Sequence, residues 1–101
     1  MWIMVLFDLP VKKKLERKNA SKFRHFLISD GYIMLQYSVY ARPCKGPFRV
    51  EKHINRLKSE LPPYGKIRML KITDKQYGAM EVLLGQKNIN ETYSMEELFV
   101  F

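Results

Sequence analysis

The chain opens on Met1-Trp2-Ile3-Met4-Val5-Leu6-Phe7, seven residues without a charge, and then meets Asp8-Leu9-Pro10. A short unbroken apolar run predicts a strand over about 1–8, buried on both faces at the middle of a sheet. Pro10 has no N–H for a ladder and marks its end. From about 13 to 29 the period lengthens to that of a helix. Leu15, Phe23, Phe26 and Leu27 form the apolar side, Asn19 and Ala20 fill the stripe, and Lys14, Arg17, Lys18, Ser21 and Arg24 fall opposite. Asp30-Gly31 is the stop signal. Residues 32–42 are strand material again, read as two segments, 32–36 and 38–42, reversing at Gln36-Tyr37-Ser38. A loop over 43–47 leads into a second helix over about 47–60, with Pro47 suited to its first turn. Val50, Ile54, Leu57 and Leu61 are its core stripe, and Pro62-Pro63 end it. A strand over 66–72 follows, then a capped turn or single helical turn over 73–78 with Thr73 or Asp74 as cap, a further strand over 81–84, and a polar linker over 85–94.

This order, β-α-β-β-α-β plus strand material, predicts an α+β, ferredoxin-like fold: two helices on one face of a four-stranded antiparallel sheet. The greasy terminus Leu98-Phe99-Val100-Phe101 adds an expected C-terminal strand, in this chain or in a second copy. The domain division is therefore 1–84 for the ferredoxin-like unit and 85–101 for a linker and interaction strand. Strand one is apolar on both sides, and no third long helix is left to cover the second. The simplest cover is another copy, so a homodimer packed sheet to sheet is expected. The six methionines read as core filler.

Composition narrows the chemistry. A chain of 101 residues makes one domain, and its one cysteine, Cys44, excludes an internal disulfide. The expected setting is the reducing cytoplasm, with no signal peptide and no membrane span. His25 and His53 are far apart and no Cys/His cluster has zinc spacing. The net charge of +8 is uneven: residues 1–71 hold 16 Lys and Arg against 5 Asp and Glu, residues 72–101 hold 2 against 5. A basic body suits a polyanion, and the acidic tail suits another partner.

Asp8 is the first candidate site residue. At the carboxyl edge of a central strand it is either a ligand for Mg²⁺, completed by water, phosphate or a symmetry mate, or a loop-capping carboxylate that accepts backbone N–H bonds. Lys12, Lys13, Lys14, Arg17, Lys18 and Arg24, with Lys22 between them, form a candidate phosphate-binding strip that begins near Asp8. Arg49, Lys52 and Arg56, with Arg42, Lys45, Lys66 and Arg68, form a second. Tyr32, Tyr37 and Tyr40 are either base-stacking rings or core, and no RNP-like motif accompanies them.

Phe7-Asp8-Leu9-Pro10, the Arg17-Lys18 helix, Gly31-Tyr32 and Gln36-Tyr37-Ser38-Val39-Tyr40 together resemble the small CRISPR-associated adaptation proteins, the ferredoxin-like partners of the CRISPR integrase. Lys71-Ile72-Thr73-Asp74-Lys75-Gln76-Tyr77-Gly78 resembles the form found beside type II, single-effector systems. The resemblance implies a homodimer that bridges integrase dimers and holds short duplex DNA during spacer acquisition. It implies a divalent ion, Mg²⁺ or another, at Asp8, and either metal-dependent endonuclease activity on RNA or DNA with Asp8 as the catalytic residue or a non-catalytic scaffold role. It further implies that the C-terminal segment contacts the dimer mate or the integrase. Many members carry Tyr just before this Asp, where this chain has Phe7. The alternatives of another class are a ferredoxin-like toxin-type ribonuclease and a nucleic-acid-binding or regulatory module unrelated to adaptation.

Overall fold

The computed structural model describes residues 1–85. Its elements are β1 (Trp2–Asp8), α1 (Lys14–Ser29), β2 (Ile33–Gln36), β3 (Val39–Pro43), α2 (Pro47–Lys58), β4 (Lys66–Ile72) and α3 (Asp74–Gly78). The four strands form one sheet in the order β2-β3-β1-β4, with every neighbour antiparallel. This is the expected ferredoxin-like arrangement, with β1 in the interior and the two long helices on one face. The expected C-terminal strand lies outside the described residues.

Alternation along β1 divides the molecule. Ile3, Val5 and Phe7 face the helices and join Leu9, Ala20, Phe23, Leu27, Tyr40, Val50, Ile54 and Leu57 in the main core. Phe7 meets Phe23 edge to face at 5.2 Å between centroids and lies against Tyr40 at 5.6 Å. Trp2, Met4, Leu6 and Asp8 point to the other face. The expectation that β1 is buried on both sides therefore holds in full only toward the helices. At the Trp2 end, the second face has its own small cluster of Trp2, Ala41 and Tyr77. The Tyr77 ring, carried on α3, stacks on Trp2 at 3.6 Å and within 5° of parallel. Toward Asp8 the same face is open, and Leu6 and Leu70 are exposed.

Local signals explain most boundaries. Thr73 caps α3 as expected: its hydroxyl accepts from Gln76 N–H at 3.0 Å, and the Gln76 side chain accepts from Thr73 N–H at 2.9 Å. The β2–β3 reversal lies at Tyr37-Ser38, where Ser38 takes φ 65°. A left-handed serine leaves no Asn-Gly signature to read.

Four expectations are corrected. Leu15 is 66% exposed, because it sits eight residues before Phe23 and so about 80° around the helix from it. Helix α2 ends at Lys58 rather than 60 and leaves Leu61 outside the core stripe and exposed, since a residue before proline is driven out of the helical region. Residues 81–84 form no strand: they join no ladder among the described residues, and Leu83 and Leu84 are 90% and 95% exposed. Of the five methionines among the described residues, only Met4 and Met80 pack against a core cluster. Met1, Met34 and Met69 are exposed, and Met4 and Met80 border the small second cluster.

A polar knot absent from the sequence reading fastens the helices to the sheet. Asp30, only 4% exposed, follows the last turn of α1. Its carboxylate meets His53 Nδ1 at 2.9 Å and Arg56 Nη2 at 2.7 Å, both from α2. Its carbonyl accepts from Arg42 Nε on β3 at 2.6 Å. Gly31, at φ 94°, lets the Arg42 guanidinium cross, for a Cβ there would lie 3.0 Å from Arg42 Nε. Beneath the knot, burial pushes the Cys44 thiol above its ordinary range and the Tyr32 phenol well above its own. The Cys44 thiol is thus an inert core group rather than a nucleophile. Removing the shared carboxylate with Asp30→Ala leaves a buried imidazole and the Arg56 head without their acceptor, while Arg42 keeps the main-chain carbonyl. The expected cost is about 3 kcal/mol, read as a lowered midpoint with unchanged slope in urea unfolding.

Candidate nucleic-acid and metal site at the Asp8 edge

Asp8 is the last residue of β1, exposed, on the face turned away from the helices. Among the described residues its carboxylate makes no hydrogen bond and no ion pair. The loop-capping alternative thus finds no partner here. The main chain at this point is tightly held: Gly65, at φ 108°, approaches so closely that a Cβ would lie 2.8 Å from Asp8 O and 2.7 Å from Leu9 Cδ2. On the other side Phe7 N–H donates to Ser38 O at 3.1 Å. The carboxylate is therefore free while the backbone that carries it is clamped by two loops.

The register brings further groups to it. Asp8 stands opposite Lys66, and Leu6 opposite Arg68, in the antiparallel β1–β4 ladder. Directly opposed residues share a face, so Lys66 and Arg68, both exposed, flank Asp8 on the open side of the sheet. Nearness in the chain groups them with α2 instead. The signal that could have found them is the pairing of an alternating strand, Lys66-Ile67-Arg68, with the end of β1.

The first basic strip is divided by the structure. Lys12, Lys13, Lys14 and Lys18 are exposed. Arg17 is partly committed: its Nη1 donates to Lys12 O at 2.8 Å and Val11 O at 3.2 Å, which fixes the loop after β1. Glu16 turns back to accept from Lys13 N–H at 2.8 Å and closes the start of α1. Arg24 is not on the far side of the helix. It is half-buried, with its guanidinium 6.0 Å from the Phe7 ring and 5.0 Å from the Tyr37 ring, and its Nη2 donates to Tyr37 Oη at 3.0 Å. In the second strip Arg42 and Arg56 belong to the Asp30 knot, while Arg49, Lys52 and Lys45 stay exposed. Tyr32 and Tyr40 are core, which removes them as stacking rings; Tyr37 is open to solvent.

One chain supplies one carboxylate here. Among the described residues no group of three or more His, Cys, Asp or Glu converges on a point. An exposed, unengaged oxygen donor suits a hard cation that keeps most of its water, and it holds one weakly unless phosphate or a second Asp8 completes the shell. Among the described residues no helix is long and apolar enough to cross a membrane.

Comparison with known proteins gives a consistent result. The family model described as CRISPR associated protein Cas2 matches residues 1–80. A CRISPR-associated endoribonuclease Cas2 of Flavobacterium psychrophilum is 43% identical over 101 residues, covering 100% of this chain and 88% of its own length. One from Campylobacter jejuni is 50% identical over 96 residues, covering 95% of this chain and 67% of its own length. The crystal structure of Streptococcus pyogenes Cas2 superimposes with a TM-score of 0.61 at 22% identity, over 82% of this chain and 99% of that one, which supports the fold.

The clamp behind Asp8 makes a specific demand on residue 65. Gly65→Ala combines a left-handed backbone with two overlaps, and a loss of about 2–4 kcal/mol is expected in thermal or urea unfolding. Gly46→Ala, also at positive φ but with open space around it, should cost the smaller, strain-only part.

Proposed function

The chain belongs to the CRISPR-associated Cas2 family, and from that premise we propose that it is a nucleic-acid-binding adaptation protein that works as a homodimer, with metal-dependent endonuclease capacity at Asp8. The observation that carries this reading is the free Asp8 carboxylate on a rigid strand end, flanked on an uncovered sheet face by Lys66 and Arg68. The apolar part of that face, Leu6 and Leu70, is what a second sheet would cover. Such packing would bring two Asp8 carboxylates toward one seam and supply the second acidic donor that a single chain lacks.

In this reading Asp8 holds the cation, and Lys66 and Arg68, both on its β4 side, hold neighbouring phosphates. When bound, Mg²⁺ would polarise a phosphate and lower the pKa of a coordinated water. Lys12, Lys13, Lys14 and Lys18 add backbone contacts that carry no sequence information. Arg17 and Arg24 act in part by shaping the loop and the turn beside the site. Short duplex DNA is the proposed cargo for spacer acquisition. RNA is the second substrate, favoured by the endoribonuclease names of the relatives. Integrase docking through 85–101 completes the proposal and concerns a segment that lies, beyond Gly85, outside the described residues.

The test uses the full chain, Asp8→Ala and a labelled oligonucleotide with and without Mg²⁺. Cleavage in the parent should require the metal and vanish in Asp8→Ala, while binding without metal stays within about twofold. Affinity should fall steeply with salt, by about tenfold or more between 50 and 200 mM for several phosphate contacts. Flat salt dependence, or a solitary protomer in sedimentation with oligonucleotide and Mg²⁺ present, would overturn the reading.

A further inference from the structure

Of the three tyrosines in the central strand region, the fold buries two. Tyr32 and Tyr40 keep 2% and 3% of their surface, while Tyr37 keeps 74%. A solvent-facing tyrosine at a turn is ordinarily a free rotor, but this one is not. Arg24 lies 5.0 Å from its ring centroid and also donates to its hydroxyl at 3.0 Å. Arg24 is itself held 6.0 Å from the Phe7 ring. The turn that carries Tyr37 is joined to β1 by the Phe7 N–H to Ser38 O bond, one residue from Asp8. The ring is thus pre-positioned by a cation on its helix side and open elsewhere, at the same end of the sheet as Asp8, whose carboxylate leaves from the opposite face.

We propose that Tyr37 is a stacking platform for one unpaired base of a nucleic-acid strand whose sugar–phosphate backbone passes Asp8. The proposal rests on the reading that this edge binds nucleic acid and names the substrate feature it selects. A fixed ring loses little freedom when a base settles on it, and any base offers a π-face, so the preference is for unpaired nucleotides rather than for a sequence. Arg24 withdraws electron density from beneath the ring and prevents it from swinging away. In a continuous duplex each base is already stacked and paired. Tyr37 therefore favours single strands, or the frayed end of a duplex.

The experiment measures binding, by anisotropy and without metal, of two labelled probes of equal length: single-stranded oligoadenylate and an abasic sugar–phosphate oligomer. The parent should bind oligoadenylate more tightly. Tyr37→Ala and Tyr37→Leu should each weaken oligoadenylate by about tenfold and leave the abasic probe unchanged, while Tyr37→Phe keeps the parent preference. The leucine variant retains apolar bulk without a π-face, so its loss separates stacking from packing. Equal affinity of the parent for both probes overturns the stacking platform and leaves the nucleic-acid reading standing. So does an equal loss for both probes in Tyr37→Ala, because Tyr37 would then act only by holding Arg24. If the parent binds neither probe, the reading of this edge as a nucleic-acid site falls, and the platform with it.

Discussion

The placement of β1 between β3 and β4 is the constraint from which the rest follows. A central strand has no free edge, so its ladder bonds are satisfied on both sides and its side chains alone distinguish the two faces of the sheet. One set, Ile3, Val5 and Phe7, builds the core with α1 and α2. The other set, Trp2, Met4, Leu6 and Asp8, runs from a covered end to a bare one. A charge at the last position of such a strand is tolerable because it reaches water on the open side. The main chain at that position is held by the close approach of Gly65 and by the Phe7–Ser38 bond.

Much of this was legible in the amino-acid order, because it depends on local rules. The uninterrupted apolar run, the Asp30-Gly31 stop, Pro47 at a helix start and the Thr73-x-x-Gln76 box each name an element through nearby residues alone. The misreadings arise where a neighbour distant in sequence decides. Leu15 obeys helical spacing only loosely and finds no sheet beneath it. Leu83 and Leu84 have strand composition, yet a strand exists only by pairing. Asp30 reads as a helix terminator and is one, but its engagement with His53 and Arg56 depends on how α2 crosses α1.

The site was legible in part for the same reason. Asp8 stands out because a carboxylate ends an apolar strand. Its companions Lys66 and Arg68 come from a strand more than fifty residues on, and only the antiparallel register reveals them. Arg24 shows the opposite case: counted with the outward lysines, it folds back between two rings and becomes part of the edge. A count of positive charges over residues 12–24 treats seven residues as equivalent, whereas Arg17 and Arg24 have architectural partners and the lysines have solvent.

The Trp2–Tyr77 pair has a geometric corollary. Indole and phenol lie flat against each other at one extremity of the sheet and thicken that extremity by an aromatic layer, while the Asp8 extremity remains thin. The exterior is therefore wedge-shaped in profile rather than planar. A flat surface laid on this face would meet the aromatic end first and stand off from the Leu6–Asp8 end.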